Sequence, residues 1–175
     1  FEAVVDAAHP FAARISRNGF DAARRAGIPY LRLEREPWAP MPGDQWIEVP
    51  DVDGAVAALP PGARIMLTIG RKEIGPFLAR EDLSGVARMI EPPVIALTSR
   101  WKLLLARPPF SVEGEKSLLL RENITHLVTK NSGGGQTEAK LLAARELNMT
   151  VVMIGRPQKP LAQSFATAEQ LVAAL

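Results

Sequence analysis

From Arg64 onward the sequence repeats one pattern, an apolar run of strand length followed by a segment long enough for a helix. The runs are "RIMLTIG", "VARMI", "KLLLA", "ITHLVT" and "TVVMIG". Strands that alternate with helix-length connections form βαβ units, which places them in a mostly parallel sheet with helices packed on it. The first third of the chain reads similarly. "AVVDA" is a strand, and "PFAARISRNGFDAARRAG" is a helix with Phe11, Ile15, Phe20 and Ala23 near helical spacing and Gly27 as its stop. "PYLRLERE" is a second strand, "PWAPMPGD" a proline-rich loop, "QWIEV" another strand, and "DVDGAVAAL" a helix with Asp51 as its N-cap. "VIAL" is open between strand and loop. "PPGA" reads as a linker, which divides the chain into residues 1–60 and 61–175. The fold class is α/β with mostly parallel sheets. The opening "FEAVVDAAHP" has no polar lead-in and reads as a start in mid-fold.

Composition narrows the chemistry. The 175 residues are 47% hydrophobic, enough to bury a real core without metals or disulfides. With no cysteine and two histidines, thiolate nucleophiles and Cys-ligated zinc are excluded and a metal site is not expected. No secretory signal or long uncharged apolar run occurs, so a cytoplasmic protein without a membrane segment is expected. The net charge is only +2, but Arg14, Arg17, Arg24, Arg25, Arg32 and Arg35 fall close together. They form either a solvated helix face interleaved with acids or a surface for carboxylates or phosphates, which a planar guanidinium grips with two parallel hydrogen bonds. No basic run interleaved with aromatics points to nucleic acid. Nothing marks an obligate interface, and a monomer is expected.

The strand ends carry the functional information, because ligands of open parallel sheets bind beyond the carboxyl ends of the strands. "LVTKNSGGGQTEAKLL" leads from a strand into a helix that begins near Gln136 or Thr137, with Ala139, Leu142, Ala143 and Leu147 on one face and Asn148 as a left-handed stop. Glycines at such a turn let a phosphate approach backbone N–H groups at a helix start. Lys130, Asn131, Ser132 and Thr137 add side-chain donors. Neither a Walker A loop nor a dinucleotide fingerprint is present, so a flexible loop is the competing reading. "LTIGRKE" places Thr68, Gly70, Arg71 and Lys72 at another strand end, and Arg71 suits an adenosine 2′-phosphate. His9 is open between general acid, ligand and turn residue; the following Pro10 biases it to extended backbone and can open the helix. His126, inside an apolar strand, reads as a core histidine. No catalytic triad or carboxylate pair stands out.

Taken together, "DAAHPFAARIS", "TIGRKE", "RPPFS" and "THLVTKNSGGGQTEAKLLAARELNMTVVMIGRP" resemble the precorrin-6A reductases of cobalamin (corrin) biosynthesis, over nearly the whole chain. The resemblance implies two Rossmann-like three-layer domains, the first incomplete here, because the family's opening strand and Gly-Gly-Thr turn have no counterpart in this sequence. It implies a cytoplasmic, NADPH-dependent oxidoreductase that moves hydride to the macrocycle of precorrin-6A, giving precorrin-6B. Position by position it suggests Thr68, Gly70, Arg71, Lys72, Lys130, Asn131, Ser132, Gly133, Gly134 and Thr137 beside the cofactor and His9, Pro10 and Phe11 beside the tetrapyrrole, with no catalytic side chain assigned. A chain of this extent is expected to bind substrate poorly and to turn over little or not at all by itself. The alternative is a non-catalytic nucleotide- or phosphate-binding module of Rossmann type.

Overall fold

The structure is a computed structural model that describes residues 2–175. Two parallel sheets organise it. The larger contains β3 (Gln45–Val49), β4 (Arg64–Thr68), β5 (Ser84–Met89), β6 (Trp101–Leu105), β7 (His126–Lys130) and β8 (Thr150–Ile154), in the order β3-β8-β7-β4-β5-β6. Its central strands are apolar on both faces: Ile65, Met66, Leu67, Leu127, Val128, Val151 and Val152 are buried. That burial is why they read as continuous hydrophobic runs. The helices of this part are α2 (Val52–Ala57), α3 (Gly75–Ala79), α4 (Val112–Arg121) and α5 (Ala139–Glu146). Asp51 caps α2 as the sequence predicts, its side chain accepting from the Gly54 N–H at 2.8 Å. "VIAL" forms neither helix nor strand.

The smaller sheet contains β1 (Val4–Asp6), β2 (Tyr30–Leu33) and β9 (Gln163–Phe165), in the order β1-β2-β9. Its helices are α1 (Ala13–Ala26) and α6 (Ala168–Val172). Gly27 ends α1 in the left-handed conformation, as its position in the sequence suggests. Pro10 does not open α1; His9 to Ala12 form a turn closed by the Ala12 N–H on the His9 carbonyl at 2.7 Å, and the helix starts at Ala13. Nor does Ile15 join the core. It is 63% exposed, while Ser16 and Ala23 are buried and Phe20 meets Tyr30 edge to face at 5.5 Å.

The compact units are not the contiguous halves 1–60 and 61–175. One unit comprises the chain up to Trp38, Ser132–Gly134 and Arg156–Leu175; the other comprises Ala39–Asn131 and Gly135–Gly155. Strand pairing gives the reason. β3 pairs with β8 from Gln45↔Thr150 to Val49↔Ile154, so "PPGA" joins two elements of one unit rather than two domains. The last strand, β9, pairs with β2 from Leu31↔Gln163 to Leu33↔Phe165, returning the C-terminal segment to the first unit.

Candidate functional site

In the larger sheet the strand order runs outward through β4, β5 and β6, then restarts on the other side of β4 with β7 and β8. The order therefore reverses between β4 and β7, and the crevice beyond the carboxyl ends at such a reversal is where open α/β sheets bind ligands. Thr68 and Thr129 are register partners, which brings the ends of both strands together. Glu73 folds back through a turn, its N–H on the Gly70 carbonyl at 3.0 Å, and its carboxylate pairs with Lys130. Thr68 donates its hydroxyl to the Val128 carbonyl at 3.1 Å, so this side chain ties the two strands to each other. Arg71 turns toward the segment after β5, pairing with Glu91 at 3.2 Å and donating to the Pro92 carbonyl at 3.4 Å. Lys72 is exposed.

The segment after β7 divides in two. The Asn131 N–H prolongs the β7–β8 ladder onto the Ile154 carbonyl at 2.9 Å. Gln136 and Thr137 lie in a 3-10 turn, Gly135–Thr137, so the α-helix starts later than the sequence suggests. The Thr137 carbonyl accepts from the Lys140 ammonium at 2.5 Å. Lys140 is buried, as are Leu141 and Ala144, so α5 covers more of its surface than the face read from the sequence, and Asn148 ends it with positive φ as expected. Burial, reinforced by the nearby positive charge of Arg88, pushes the Lys140 ammonium down to about 7. Arg88 in turn pairs with buried Glu115 and stacks over Phe110 at 3.9 Å.

Ser132–Gly134 belong to the first unit. Gly133 and Gly134 both have positive φ, 67° and 80°. A Cβ on Gly133 would run into the Glu36 carbonyl and approach an Arg156 nitrogen at 2.8 Å; one on Gly134 would sit 3.0 Å from Cδ of Arg35. The turn's carbonyls face the same neighbours. Ser132 accepts from Arg35 at 2.7 Å and from Arg156 at 3.2 Å, and Gly134 accepts from the Trp38 indole at 3.2 Å. Two of the glycines therefore serve a close approach by protein groups, while a Cβ on Gly135 would meet open space.

In the first unit an open cavity of about 440 Å³ lies at the carboxyl ends of β1, β2 and β9. Ala7, Ala8, Ala166 and Ala168 give it a small apolar wall, and His9, Glu34 and Arg35 line it with polar groups. His9 accepts the Phe11 N–H on Nδ1 at 3.2 Å and lies 5.9 Å from the Phe11 ring. It thus both shapes the turn and borders the cavity; Pro10 also lines the cavity, whereas Phe11 is not among its lining residues. Beneath the cavity the strands carry buried charge. Asp6 lies 3.5 Å from Arg32 and accepts from the Tyr30 hydroxyl at 2.5 Å, and Lys159 pairs with Glu34 at 2.7 Å. Burial pushes the Asp6 carboxyl up, but hydrogen bonds led by Tyr30 outweigh it and hold the group below the usual carboxylate range.

Of the residues singled out by sequence, Thr68, Gly70 and Lys130 come together at the β4/β7 reversal, and His9 and Pro10 meet at the first unit's cavity. His126 opens β7, at the end of the strand away from the β4/β7 crevice; its ring contacts the Thr125 hydroxyl at 2.9 Å, and burial lowers its pKa. Sequence reasoning passed over Glu73, Glu34, Arg156 and Lys159. Glu73 sits inside "TIGRKE" and Arg156 at the end of the stretch closing in "VVMIGRP", both at strand ends, whereas Lys159 lies just beyond it. No group of acidic or histidine side chains among the described residues could hold a metal ion, and none of the described helices is long and apolar enough to cross a membrane.

Comparison with known proteins agrees with this architecture. The family model "Precorrin-6x reductase CbiJ/CobK" matches residues 1–175. Precorrin-6A reductase of Rhodococcus erythropolis is 47% identical over 175 residues, covering 99% of this chain and 70% of the relative. Cobalt-precorrin-6A reductase of Priestia megaterium is 33% identical over 186 residues, covering 99% and 72%. A solved structure described as CobK precorrin-6A reductase superimposes with a TM-score of 0.92 at 41% identity, covering 99% of this chain and 70% of that one. A family match over residues 1–175, high identity and a shared parallel α/β architecture converge on one conclusion: the chain belongs to the precorrin-6x reductase family, whose members are oxidoreductases of cobalamin biosynthesis.

Proposed function

We propose that the chain acts in the NADPH-dependent reduction of precorrin-6A to precorrin-6B. The observation that carries the cofactor reading is the strand-order reversal between β4 and β7, with Gly70, Glu73 and Lys130 at its mouth. These residues suit a dinucleotide. Lys130 supplies a cation for the phosphates, Glu73 an acceptor for ribose hydroxyls, and exposed Gly70 a backbone without a side chain in the way. Arg71 and Lys72, exposed on the same loop, suit the 2′-phosphate that separates NADPH from NADH. Asn131 and Thr137 continue the assignment within the same unit.

Bound NADPH would supply the hydride. The chain's own contribution is to bind and orient. His9 and Pro10 border the cavity assigned to the tetrapyrrole, and Phe11 supports the His9 ring. Higher identity to the precorrin-6A reductase than to the cobalt-precorrin-6A reductase, 47% against 33%, favours the cobalt-free macrocycle.

Calorimetric titration with NADPH and NADH, on the wild type and on Arg71→Ala and Lys130→Ala, tests the cofactor assignment. Saturable binding that prefers NADPH, with the preference lost in Arg71→Ala and all binding weakened in Lys130→Ala, is the expected result. Unchanged affinities in both variants would remove the cofactor from the β4/β7 crevice.

A further inference from the structure

Of the clustered arginines in the first unit, most have evident occupations. Arg14, Arg17, Arg24 and Arg25 lie exposed on α1, and Arg32 is buried against Asp6. Arg35 differs from all of them. It follows β2 directly, lines the cavity, and is held by its Nε to the Ser132 carbonyl. That bond holds the guanidinium through its Nε rather than through either terminal nitrogen. Arg156 reaches the same Ser132 carbonyl from the opposite end of the chain's fold order, after β8. Two guanidinium groups thus converge on one carbonyl oxygen. Burial and the adjacent charge of Arg35 both work to lower the pKa of Arg156, with nearby Glu34 and Glu36 opposing the latter effect.

The glycines make this convergence possible. Positive φ at Gly133 and Gly134 turns the chain so that Ser132 presents its carbonyl, and the missing side chains leave room for Arg156 and for the stem of Arg35. Glu34 and Glu36 act against the repulsion between the two guanidinium groups, and an anion held by Arg35 would act in the same sense. A planar guanidinium with its Nε already anchored presents its two remaining amino groups in a fixed direction, which suits a bidentate oxyanion.

We infer that Arg35, seated on the Ser132–Gly134 turn and backed by Arg156, is the oxyanion anchor of the first unit's cavity, binding a carboxylate of the molecule that occupies it. The assignment rests on the reading of that cavity as the tetrapyrrole site, because a tetrapyrrole with acid side chains offers carboxylates at the edge of a flat ring. The alanines supply an apolar wall for such a ring, and Arg35 lines the same cavity. Phosphate groups of a dinucleotide share the same oxyanion chemistry and are the other possible source.

The test is equilibrium titration of the wild type, Arg35→Gln, Arg35→Lys and the control Arg14→Gln with precorrin-6A, NADPH, NADH, citrate and pyrophosphate. The expected result is a loss of about tenfold or more in precorrin-6A affinity in Arg35→Gln, partial recovery in Arg35→Lys, and no change in Arg14→Gln or in dinucleotide binding. A loss confined to NADPH, or shared by NADPH and NADH, would keep the anchor but overturn its assignment to a carboxylate, pointing to the 2′-phosphate or the pyrophosphate respectively. Citrate and pyrophosphate read the anchor independently of the tetrapyrrole. If the wild type binds them and Arg35→Gln does not, the anchor stands even where precorrin-6A fails to bind and the function proposed above falls. Equal affinities of the wild type and Arg35→Gln for every one of these molecules, in protein with unchanged circular dichroism, would overturn the inference.

Discussion

Arg35 and Arg71 look alike in the sequence, each an arginine just past a parallel strand and next to another charge, yet the structure gives them different surroundings. Arg71 is exposed and leans on Glu91 and the Pro92 carbonyl, contacts that solvent weakens and a ligand can replace. Arg35, also exposed, donates instead to a backbone carbonyl on a turn whose positive φ and close approach require glycine. The difference lies not in the arginines but in what their neighbours allow.

The change that would break this comparison most directly is at the turn itself. Gly133→Ala forces a Cβ into the Glu36 carbonyl at positive φ, and a loss of roughly 2–4 kcal/mol in urea denaturation is expected. Gly135→Ala, whose Cβ enters open space, should stay within about 1 kcal/mol of the wild type. Equal losses in both would mean that the turn is a loop without a seat.

A similar effect is expected beneath the cavity. Asp6→Asn leaves Arg32 buried without its counter-charge, at a cost of about 3–5 kcal/mol. Because the folded-state pKa of Asp6 lies below its unfolded value, the stability it contributes is whole above the unfolded value of roughly 4 and is lost as pH falls through the folded one. Denaturation midpoints measured from pH 5 to pH 2 should therefore fall less steeply in Asp6→Asn than in the wild type.

Lys140 gives the opposite pH dependence. Its folded pKa of about 7 lies below an unfolded value of about 10.4, so the unfolded chain holds more protons between them and stability rises with pH across that window. Lys140→Met should flatten that rise in denaturation curves taken from pH 7 to pH 10. An unaltered slope would show that the ammonium stays charged inside α5. The smallest effect belongs to Arg71→Ala, whose exposed pair with Glu91 is worth less than about 1 kcal/mol of stability; its effect should appear in NADPH binding alone.

What the sequence conveyed follows from periodicity. Central strands such as "RIMLTIG" and "TVVMIG" are buried on both faces and announce themselves, and Gly27, Asp51 and Asn148 mark helix ends because their backbone and capping chemistry is local. The unit boundary was not legible, since it depends on β3 pairing with β8 and β9 with β2 across long stretches of chain. The burial of Lys140 was hidden by its residue type. The glycine run was legible as a turn needing backbone freedom, but not what the freedom serves. That depends on Arg35, Glu36 and Arg156, which are remote in sequence and local only in the fold.

The central claim is that the chain takes part in hydride transfer to a tetrapyrrole, and isotope transfer tests it most directly. The protein, in stoichiometric amount, would be mixed with precorrin-6A and NADPH deuterated at the nicotinamide C4, and the macrocycle analysed by mass spectrometry. Deuterium recovered in the reduced macrocycle, and reduced in yield by Lys130→Ala, is the predicted result. Saturable NADPH binding with no deuterium reaching precorrin-6A would contradict it and leave a nucleotide-binding module in its place.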